Sequence, residues 1–254
     1  MAKFTISRPP FNKAKRTPLR HQVLGLILIL AESAVELVPL ELAEHPSVLR
    51  LAKKRGKKPN QILLDRSYHH TAMRSLKDSE KRGRPDIVHT TLLEVLGTPL
   101  NREGLLQTYV HTVEGRVIEI NSNARLPVNY DRFVGLLEQL YEIGRVPEVG
   151  EPLLTIRKQA LNQLLREIKP STTLAFTTLG EYEDLSALCE KISKEKKPAI
   201  LIGGFPRGHF SKETLRMADR AVRIDREALE AWVVAARTVY AYELAIGLPK
   251  QRLR

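Results

Sequence analysis

Apolar positions in the last third of the chain alternate between two patterns. Short unbroken runs are typical of strands buried on both faces, and they lie at 174–177, 199–202 and 221–224. One-sided stripes with a period near that of an α-helix follow each run, and they cover 184–193, 211–218 and 227–246. Strands that alternate with helices form right-handed crossovers, so this part of the sequence predicts an α/β fold with a parallel sheet.

The N-terminal third is less regular. An apolar run at 23–30 predicts another strand covered on both faces, and 31–37 has a helix-like pattern. The lysines and arginines at 53–58 predict a solvated basic loop, because like charges in a run favour exposure to water. A short strand is predicted at 62–64, directly before Asp65.

The middle of the chain predicts a helix, a hairpin and a second helix. Apolar spacing predicts a helix at 86–96, and β-rich runs at 108–113 and 116–120 flank a two-residue turn at Glu114-Gly115. A helix that Asn129 caps is predicted at 129–143.

The stripe that follows is the most regular of the chain. It runs over 153–168, and the sequence predicts one helix there, which Pro170 ends.

The charge of the chain indicates which class of partner it binds. Lys and Arg total 41 against 29 Asp and Glu, which gives a formal net charge of +12. Such an excess favours contact with nucleic acid or an anionic membrane, and a soluble protein that is simply basic is the plainer alternative. The longest apolar run, at 23–30, is far shorter than the ~20 residues of a membrane helix, and no basic amphipathic helix has a broad aromatic face. We therefore expect no membrane contact.

Two further features bear on organisation and location. Residues 1–20 are basic and contain Pro9, Pro10 and Pro18, which predicts a mobile arm or an edge extension. The one cysteine, Cys189, excludes an intrachain disulfide and is consistent with a reducing compartment, so we expect a cytoplasmic protein.

Ligands of parallel sheets bind beyond the carboxyl ends of the strands. Three segments of this chain occupy such positions, namely 177–180, 203–208 and 224–229. Glycines in the second segment let a ligand approach the backbone closely, although such glycines also serve simply to turn the chain. Three suitable loops from one half of a sheet predict a site for a flat, mostly apolar cofactor.

Arginines provide the candidate contacts to an anion. Arg84 can form a forked contact with a phosphate or a base edge, and Asp86 could hold that fork in place. A solvated turn in which Asp86 stabilises the helix dipole is the alternative. Arg125 and Arg132 lie on either side of Pro127, and they are either surface charges or contacts to the same ligand.

Metal and serine chemistry are poorly supported. The chain has seven histidines, but His69 and His70 are adjacent, so they point to different sides and cannot share one metal face. His89 and His111 have no carboxylate or cysteine at ligand spacing. No Gly-x-Ser-x-Gly elbow occurs.

Several unusual motifs resemble one family in the order in which they occur. They are Leu64-Asp65-Arg66-Ser67-Tyr68-His69-His70-Thr71-Ala72-Met73, the segment 81–89, Pro99-Leu100-Asn101-Arg102-Glu103-Gly104, Tyr109-Val110-His111-Thr112, the segment 202–210 and Glu230-Ala231-Trp232. Over about 23–247 the chain resembles the archaeal form of the small-subunit ribosomal RNA pseudouridine methyltransferases of the SPOUT superfamily.

The resemblance implies a fold and an activity. The fold is a parallel-sheet SPOUT methyltransferase domain with a deep C-terminal trefoil knot and a family-specific β-hairpin and helical insertion. It would occupy 21–254, with RNA-binding elements mainly at 53–143 and the cofactor-binding knot mainly at 171–247. The family transfers a methyl group from S-adenosyl-L-methionine to nitrogen 1 of a pseudouridine in a small-subunit ribosomal RNA hairpin.

The resemblance also implies partners and site residues. The family forms homodimers and takes part in ribosome assembly, so ribosomal proteins or assembly factors are candidate further partners. RNA contacts would fall on Arg84, Arg125 and Arg132, with Asp86 either orienting Arg84 or acting as the base. Cofactor contacts would fall on Thr178, Gly203, Gly208, Ile224, Asp225, Arg226, Glu227, Ala228 and Leu229.

Two positions depart from the family's pattern. Val128 stands where relatives carry a basic residue, and Asp225-Arg226 replaces a Tyr-Pro pair that many relatives have in the third cofactor segment. The second departure favours the alternative function, a ribosomal RNA-binding assembly factor that transfers nothing. A transfer RNA methyltransferase with the same knot is a third interpretation, and the motif at 81–86 argues against it.

Overall fold

The computed structural model describes residues 25–253, and its centre is one eight-stranded sheet in the order β4-β5-β3-β2-β1-β7-β6-β8. The predicted arm at 1–20 and the first residues of the strand predicted at 23–30 lie outside the described residues. The strands are β1 Leu26–Ser33, β2 Leu106–Thr112, β3 Arg116–Ile120, β4 Arg145–Val146, β5 Leu154–Lys158, β6 Thr172–Tyr182, β7 Pro198–Gly203 and β8 Arg220–Arg223.

Helices cover both faces of this sheet. They are α1 Pro46–Arg55, α2 Arg66–His69, α3 Pro85–Gly97, α4 Pro99–Arg102, α5 Tyr130–Ile143, α6 Leu161–Ile168, α7 Leu185–Ile192, α8 Lys212–Met217, α9 Ala231–Ala245 and α10 Leu248–Arg252. Short 3-10 turns lie at Leu40–Leu42, Pro59–Gln61, Ala72–Ser75 and Ser79–Lys81.

The central strands pair in parallel, as the alternating pattern predicts. β1 pairs with β2 and β7, and β6 pairs with β7 and β8. Alternate residues of β1 belong to different apolar clusters: Leu28 packs with α3, α5, α7 and α9, whereas Ile29 packs with α6 and Phe210. The strand is therefore covered on both faces, and the α/β fold with a mostly parallel sheet is confirmed.

An antiparallel extension completes the other end of the sheet. β2 and β3 form the predicted hairpin, with Val110 opposite Ile118, and β5 pairs with β3 and β4. The hairpin loop has three residues rather than two: the Gly115 N–H donates to the Thr112 carbonyl, and Gly115 takes φ 73°. A glycine in this left-handed position is the usual end of a three-residue hairpin loop.

Long-range pairing overrides two of the predicted helices. Residues 31–33 extend β1, because Ala31 pairs with Gly203 and Ser33 with Thr112, and 34–37 is irregular. The stripe at 153–168 divides into β5 and α6, since Leu154–Lys158 adds to β3 and the helix begins only at Leu161. Both predictions were therefore wrong, and α6 alone keeps the helical stripe.

Three smaller boundaries also differ. Lys53 to Arg55 belong to the last turn of α1, where cations offset the helix dipole, and Gly56 ends that helix at φ 64°. The strand predicted at 62–64 is a single bridge between Leu37 and Leu63. The last long helix begins at Ala231 rather than at 227. The helices predicted at 86–96 and 129–143 are confirmed as α3 and α5, and the Asn129 side chain caps α5.

Candidate functional site

The three predicted segments meet at one cavity of about 240 Å³: 177–180 lies in the irregular part of β6, 203–208 begins at the last residue of β7, and 224–229 follows β8. Its wall is completed by Ile87 of α3 and by the first turn of α9. Of the residues that the resemblance assigns to the cofactor, those that line the cavity are Thr178, Gly203, Gly208, Ile224, Asp225, Glu227, Ala228 and Leu229. The topology thus brings together segments that are separated by up to about fifty residues in the sequence.

Arg226 is the exception. Its side chain is 88% exposed, and it borders a larger and more open hollow of about 630 Å³ on the outer side of the segment. The open hollow is larger, but the smaller cavity is the better ligand site, because it lies where the strands end and because the close-approach glycines line it.

Two neighbouring glycines of the second segment lie close to other groups. A Cβ on Gly203 would lie 2.8 Å from the ring of Phe205, which is itself part of the cavity wall. A Cβ on Gly204 would lie 2.2 Å from the Ser33 hydroxyl at the end of β1. Gly204 therefore allows the loop to pack against β1, whereas Gly203 leaves room for the Phe205 ring.

The cavity wall also has residues that lie outside the three predicted segments. They are Phe176, Ile202, His209, Phe210, Arg223, Glu230, Ala231 and Val234. Asp225, Glu227 and Glu230 are acidic residues of this wall, and Arg207 and Arg223 are basic ones. The helix predicted at 227–246 includes residues 227–230, which lie in the loop before α9.

Arg84 and Asp86 form a bidentate ion pair at the start of α3. Arg84 Nε donates to Asp86 Oδ1 at 2.8 Å, and Nη2 donates to Oδ2 at 2.7 Å. The hydrogen bond from the guanidinium to Asp86 raises the pKa of Arg84, with smaller contributions from nearby carboxylates that include Glu230. Both side chains are partly exposed, and Ile87, the next residue, lines the cavity.

A second surface with exposed arginines lies beside this pair. Arg125 lies in the loop before α5, and Arg132 lies in the first turn of α5. That loop is attached to α3, because the His89 ring contacts the Pro127 carbonyl through Nε2 at 2.7 Å and stacks on Phe133 at 4.2 Å. One helix therefore carries the Arg84–Asp86 pair and also holds the loop between the other two arginines.

A buried polar contact fixes the far side of this surface. The Tyr130 hydroxyl donates to Asp65 Oδ2 at 2.6 Å, and Asp65 also caps α2 through the Ser67 N–H. Burial, followed by this contact, raises the pKa of Tyr130 far above its usual range, so the hydroxyl stays a donor. Val128, between the two arginines, is 80% exposed and provides no charge there.

Residues 25–253 lack two further features. No group of three or more His, Cys, Asp or Glu side chains in this part of the chain is arranged to hold a metal ion. No helix of this part is both long enough and apolar enough to cross a membrane.

Comparisons with known proteins agree with one another. The family model described as EMG1/NEP1 methyltransferase matches residues 28–243. A ribosomal RNA small subunit methyltransferase Nep1 from Pyrobaculum islandicum is 45% identical over 224 residues, which cover 88% of this chain and 100% of that protein. The Nep1 of Staphylothermus marinus is 44% identical over 217 residues, covering 85% and 94%.

A solved structure adds the fold. The crystal structure of Archaeoglobus fulgidus Nep1 bound to S-adenosylhomocysteine is 38% identical to this chain, with a TM-score of 0.77, and the match covers 88% of this chain and 99% of that one. The sequence motifs, the sheet and the three-segment cavity are thus found in a chain that matches the family model over most of its length. The chain belongs to the EMG1/NEP1 methyltransferase family.

Proposed function

We propose that this protein methylates small-subunit ribosomal RNA and takes the methyl group from S-adenosyl-L-methionine. One observation carries the proposal: the cavity is lined by Ile87, the residue after Asp86, and by Glu230, whose charge acts on Arg84, so a donor and an RNA acceptor can meet there. The Nep1 proteins of P. islandicum and S. marinus are named as small-subunit ribosomal RNA methyltransferases, and the A. fulgidus structure holds S-adenosylhomocysteine.

The lining of the cavity fits this cofactor. Phe176, Ile202 and Leu229 provide apolar surface for a flat base, and Gly203 leaves backbone accessible next to it. S-adenosylmethionine carries positive charge on its sulfur and its amino group and negative charge on its carboxylate, and the wall has both acidic and basic residues, namely Asp225, Glu227, Glu230, Arg207 and Arg223. When bound, it supplies an electrophilic methyl group for an in-line displacement. We assign cofactor contacts to Thr178, Gly203, Gly208 and the segment 224–229.

The RNA is bound by the arginine surface in this proposal. Arg84, Arg125 and Arg132 contact the hairpin, and the acceptor is nitrogen 1 of a pseudouridine in its loop. An unpaired loop base can turn outward at little cost, which brings the acceptor to the cavity. Asp86 orients Arg84, because both of its carboxylate oxygens accept from the guanidinium, and a proton taken up by Asp86 would remove the charge that holds Arg84.

A second copy of the chain is the proposed partner in the assembly. Exposed apolar side chains border the open hollow beside the cofactor cavity, and they are Tyr182, Tyr240 and Leu244, with 61%, 59% and 53% of their surface exposed. A homodimer that buries them would also cover the outer side of Asp225 and Arg226. The match to A. fulgidus Nep1 supports assigning the deep C-terminal knot to 171–247 as well. A protein that modifies ribosomal RNA would work in the cytoplasm, beside ribosomal proteins and assembly factors.

A non-catalytic assembly factor is the second candidate function. The observation that favours it is Asp225, which ion-pairs with Arg237 at 3.4 Å instead of leaving an uncharged wall where many relatives have Tyr-Pro. Such a protein would bind the hairpin and leave it unmodified.

One experiment separates the two functions. The full chain is titrated with S-adenosylhomocysteine by calorimetry and is then incubated with methyl-labelled cofactor and a small-subunit hairpin that carries either pseudouridine or uridine. We expect cofactor binding and label transfer to the pseudouridine hairpin alone. Hairpin binding without any transfer would leave the assembly factor, and equal transfer to both hairpins would contradict the pseudouridine assignment.

A further inference from the structure

Lys81 connects two parts of the molecule that are 128 residues apart in sequence. Its ammonium donates to the His209 carbonyl in the loop 203–211, which we call the glycine loop. The ammonium also lies 3.6 Å from Glu32 Oε2 at the end of β1. The same ammonium lies 4.7 Å from the centroid of the Phe205 ring. Lys81 thus contacts His209 and Phe205, which line the cavity, and Glu32 at the end of β1.

Glu32 ties the other end of the glycine loop to the sheet. Its Oε1 accepts from the Ser211 N–H at 2.8 Å, while its Oε2 faces Lys81. Glu32 has φ 51°, a left-handed conformation that a residue with a side chain adopts only where its surroundings hold it. The carboxylate therefore lies at a fixed point between the loop and the lysine.

The position of Lys81 depends on the shape of the loop. A Cβ on Gly208 would lie 3.2 Å from Lys81 Cε, and Gly208 itself has φ 83°. Phe205, under the ammonium, is the ring that fills the space beside Gly203. A ligand that moves Phe205 must therefore also move Lys81 or break the contact between the Lys81 ammonium and the Phe205 ring.

The segment after Lys81 is rigid. Arg82 forms a bidentate pair with the buried Glu36, at 2.8 and 2.5 Å, and the Arg84 N–H donates to the Ala34 carbonyl at 3.0 Å. A Cβ on Gly83 would lie 2.7 Å from the Met73 side chain, so this residue is closely packed as well. The segment 82–84 is therefore anchored to residues 34–36, directly after β1, the strand whose Glu32 faces Lys81.

We propose that Lys81 is a positioning residue that couples the two ligands: it holds the glycine loop 203–211 against the segment 81–84, so that cofactor binding favours RNA binding and the reverse. This inference rests on the proposed function, because it takes the cavity as the cofactor site and Arg84 as an RNA contact. It adds a thermodynamic link between them, which must be reciprocal.

The test measures the link directly. The affinity of the full chain for S-adenosylhomocysteine is measured by calorimetry, alone and with a saturating pseudouridine hairpin. We expect the hairpin to tighten binding about five-fold or more in the parent, a typical size for coupling between two sites. The coupling is given by the ratio of the two dissociation constants, without and with the hairpin. In Lys81→Met, which keeps the length and loses the charge, this ratio should approach one. Lys81→Arg should restore most of it.

Two further variants exclude a general effect on folding. Glu32→Gln keeps an acceptor for the Ser211 N–H and removes the charge that faces Lys81, so it should reduce the ratio as Lys81→Met does. Lys77→Met is the matched control: Lys77 is exposed, and its side chain makes no hydrogen bond or ion pair with residues 25–253. Its ratio should equal that of the parent.

The outcomes are distinguishable. A parent that binds the cofactor and the hairpin independently, or a Lys81→Met variant with the full ratio, overturns the coupling and leaves the proposed function intact. A parent that fails to bind either ligand in the separate titrations overturns both. A ratio near one in Lys81→Met and Glu32→Gln only, with unchanged melting temperatures, supports the positioning role.

Discussion

The guanidinium of Arg84 and the carboxylate of Asp86 form a forked pair with both oxygens occupied, at 2.8 and 2.7 Å. The pair lies at the N-terminus of α3, one residue before Ile87 of the cofactor cavity. A carboxylate in this arrangement holds the arginine in one orientation. A proton taken from the RNA would remove the negative charge of Asp86 and so weaken the pair.

Asp86→Asn tests this arrangement. The amide oxygen still accepts one hydrogen bond from Arg84, so we expect hairpin affinity to be largely kept and single-turnover methylation to fall by less than ~10-fold. A base role would instead reduce the rate by ~10²–10⁴ with both ligands bound. That loss would be partly recovered at higher pH, where the acceptor nitrogen loses its proton unaided. Single-turnover rates across pH separate the two results.

Gly203→Val should prevent cofactor binding. The added side chain meets the Phe205 ring at 2.8 Å and occupies the cavity, so we expect a loss of about 3 kcal/mol, roughly a hundredfold in Kd. Calorimetry with S-adenosylhomocysteine gives the value. Gly135→Val in α5 is the matched control, because an added Cβ there has nothing within 4 Å. Undiminished affinity in Gly203→Val would place the cofactor elsewhere.

Arg125→Ala and Arg132→Ala should each weaken hairpin binding. Each loss should be ~1–3 kcal/mol if the arginine contacts a base, and the salt dependence should become shallower if it contacts a phosphate. Affinities measured over a salt series distinguish the two. Arg166→Ala is the control, since Arg166 is exposed on α6, which packs on the other face of the sheet. If both variants bind as the parent does, the RNA lies on another surface.

Val128→Arg should strengthen hairpin binding. Val128 is 80% exposed in the loop between Arg125 and Arg132, so an arginine fits there without steric conflict. A gain of about 1 kcal/mol that disappears at high salt is expected for one new phosphate contact. Val128→Gln, which adds length without charge, should leave the affinity unchanged. A gain of equal size in both variants would mean that charge is not the missing feature.

His69 should make the fold sensitive to acid. Its ring is fully buried, Nδ1 accepts from the Asp65 N–H at 3.0 Å, and Nε2 has no partner among the described residues. Burial lowers the pKa of His69, and the nearby Arg55 and His45 lower it further, although Asp65 opposes them. The unfolded chain therefore binds a proton below about pH 6.5 that the folded chain does not, and stability falls as the pH drops.

Urea unfolding at pH 7 and pH 5 measures this effect. His69→Asn keeps an acceptor near the Asp65 N–H and cannot be protonated, so its free energy of unfolding should fall less between the two pH values than that of the parent. An identical decrease in both proteins would assign the acid sensitivity to other groups, such as His111, whose pKa burial also lowers.

The local spacing of apolar residues predicted those elements whose tertiary surroundings bury the same residues. The runs that became β6, β7 and β8 are apolar because both faces of the sheet are covered, and Asn129 caps α5 through its own side chain. The three segments at the ends of these strands were predicted as one site, because the carboxyl ends of parallel strands meet at one edge. The cavity agrees with that expectation.

Tertiary structure decided the elements that pair across the chain. The stripe at 153–168 has helical spacing throughout, yet Leu154–Lys158 fills an open edge beside β3, whose unpaired N–H and C=O groups favour a strand there. Residues 31–33 likewise follow β7 and β2 rather than their own helical pattern.

The sequence by itself determined the fold class, the basic character and the three segments that line the cavity. It could not place Lys81 against Glu32 and His209, nor hold the Pro127 loop against His89, because these contacts join residues far apart in the chain. Local periodicity reports only which face of an element is buried. The sheet order decides which elements then face each other. Only the folded structure shows that the glycine loop 203–211 and the segment 81–84 meet at Lys81.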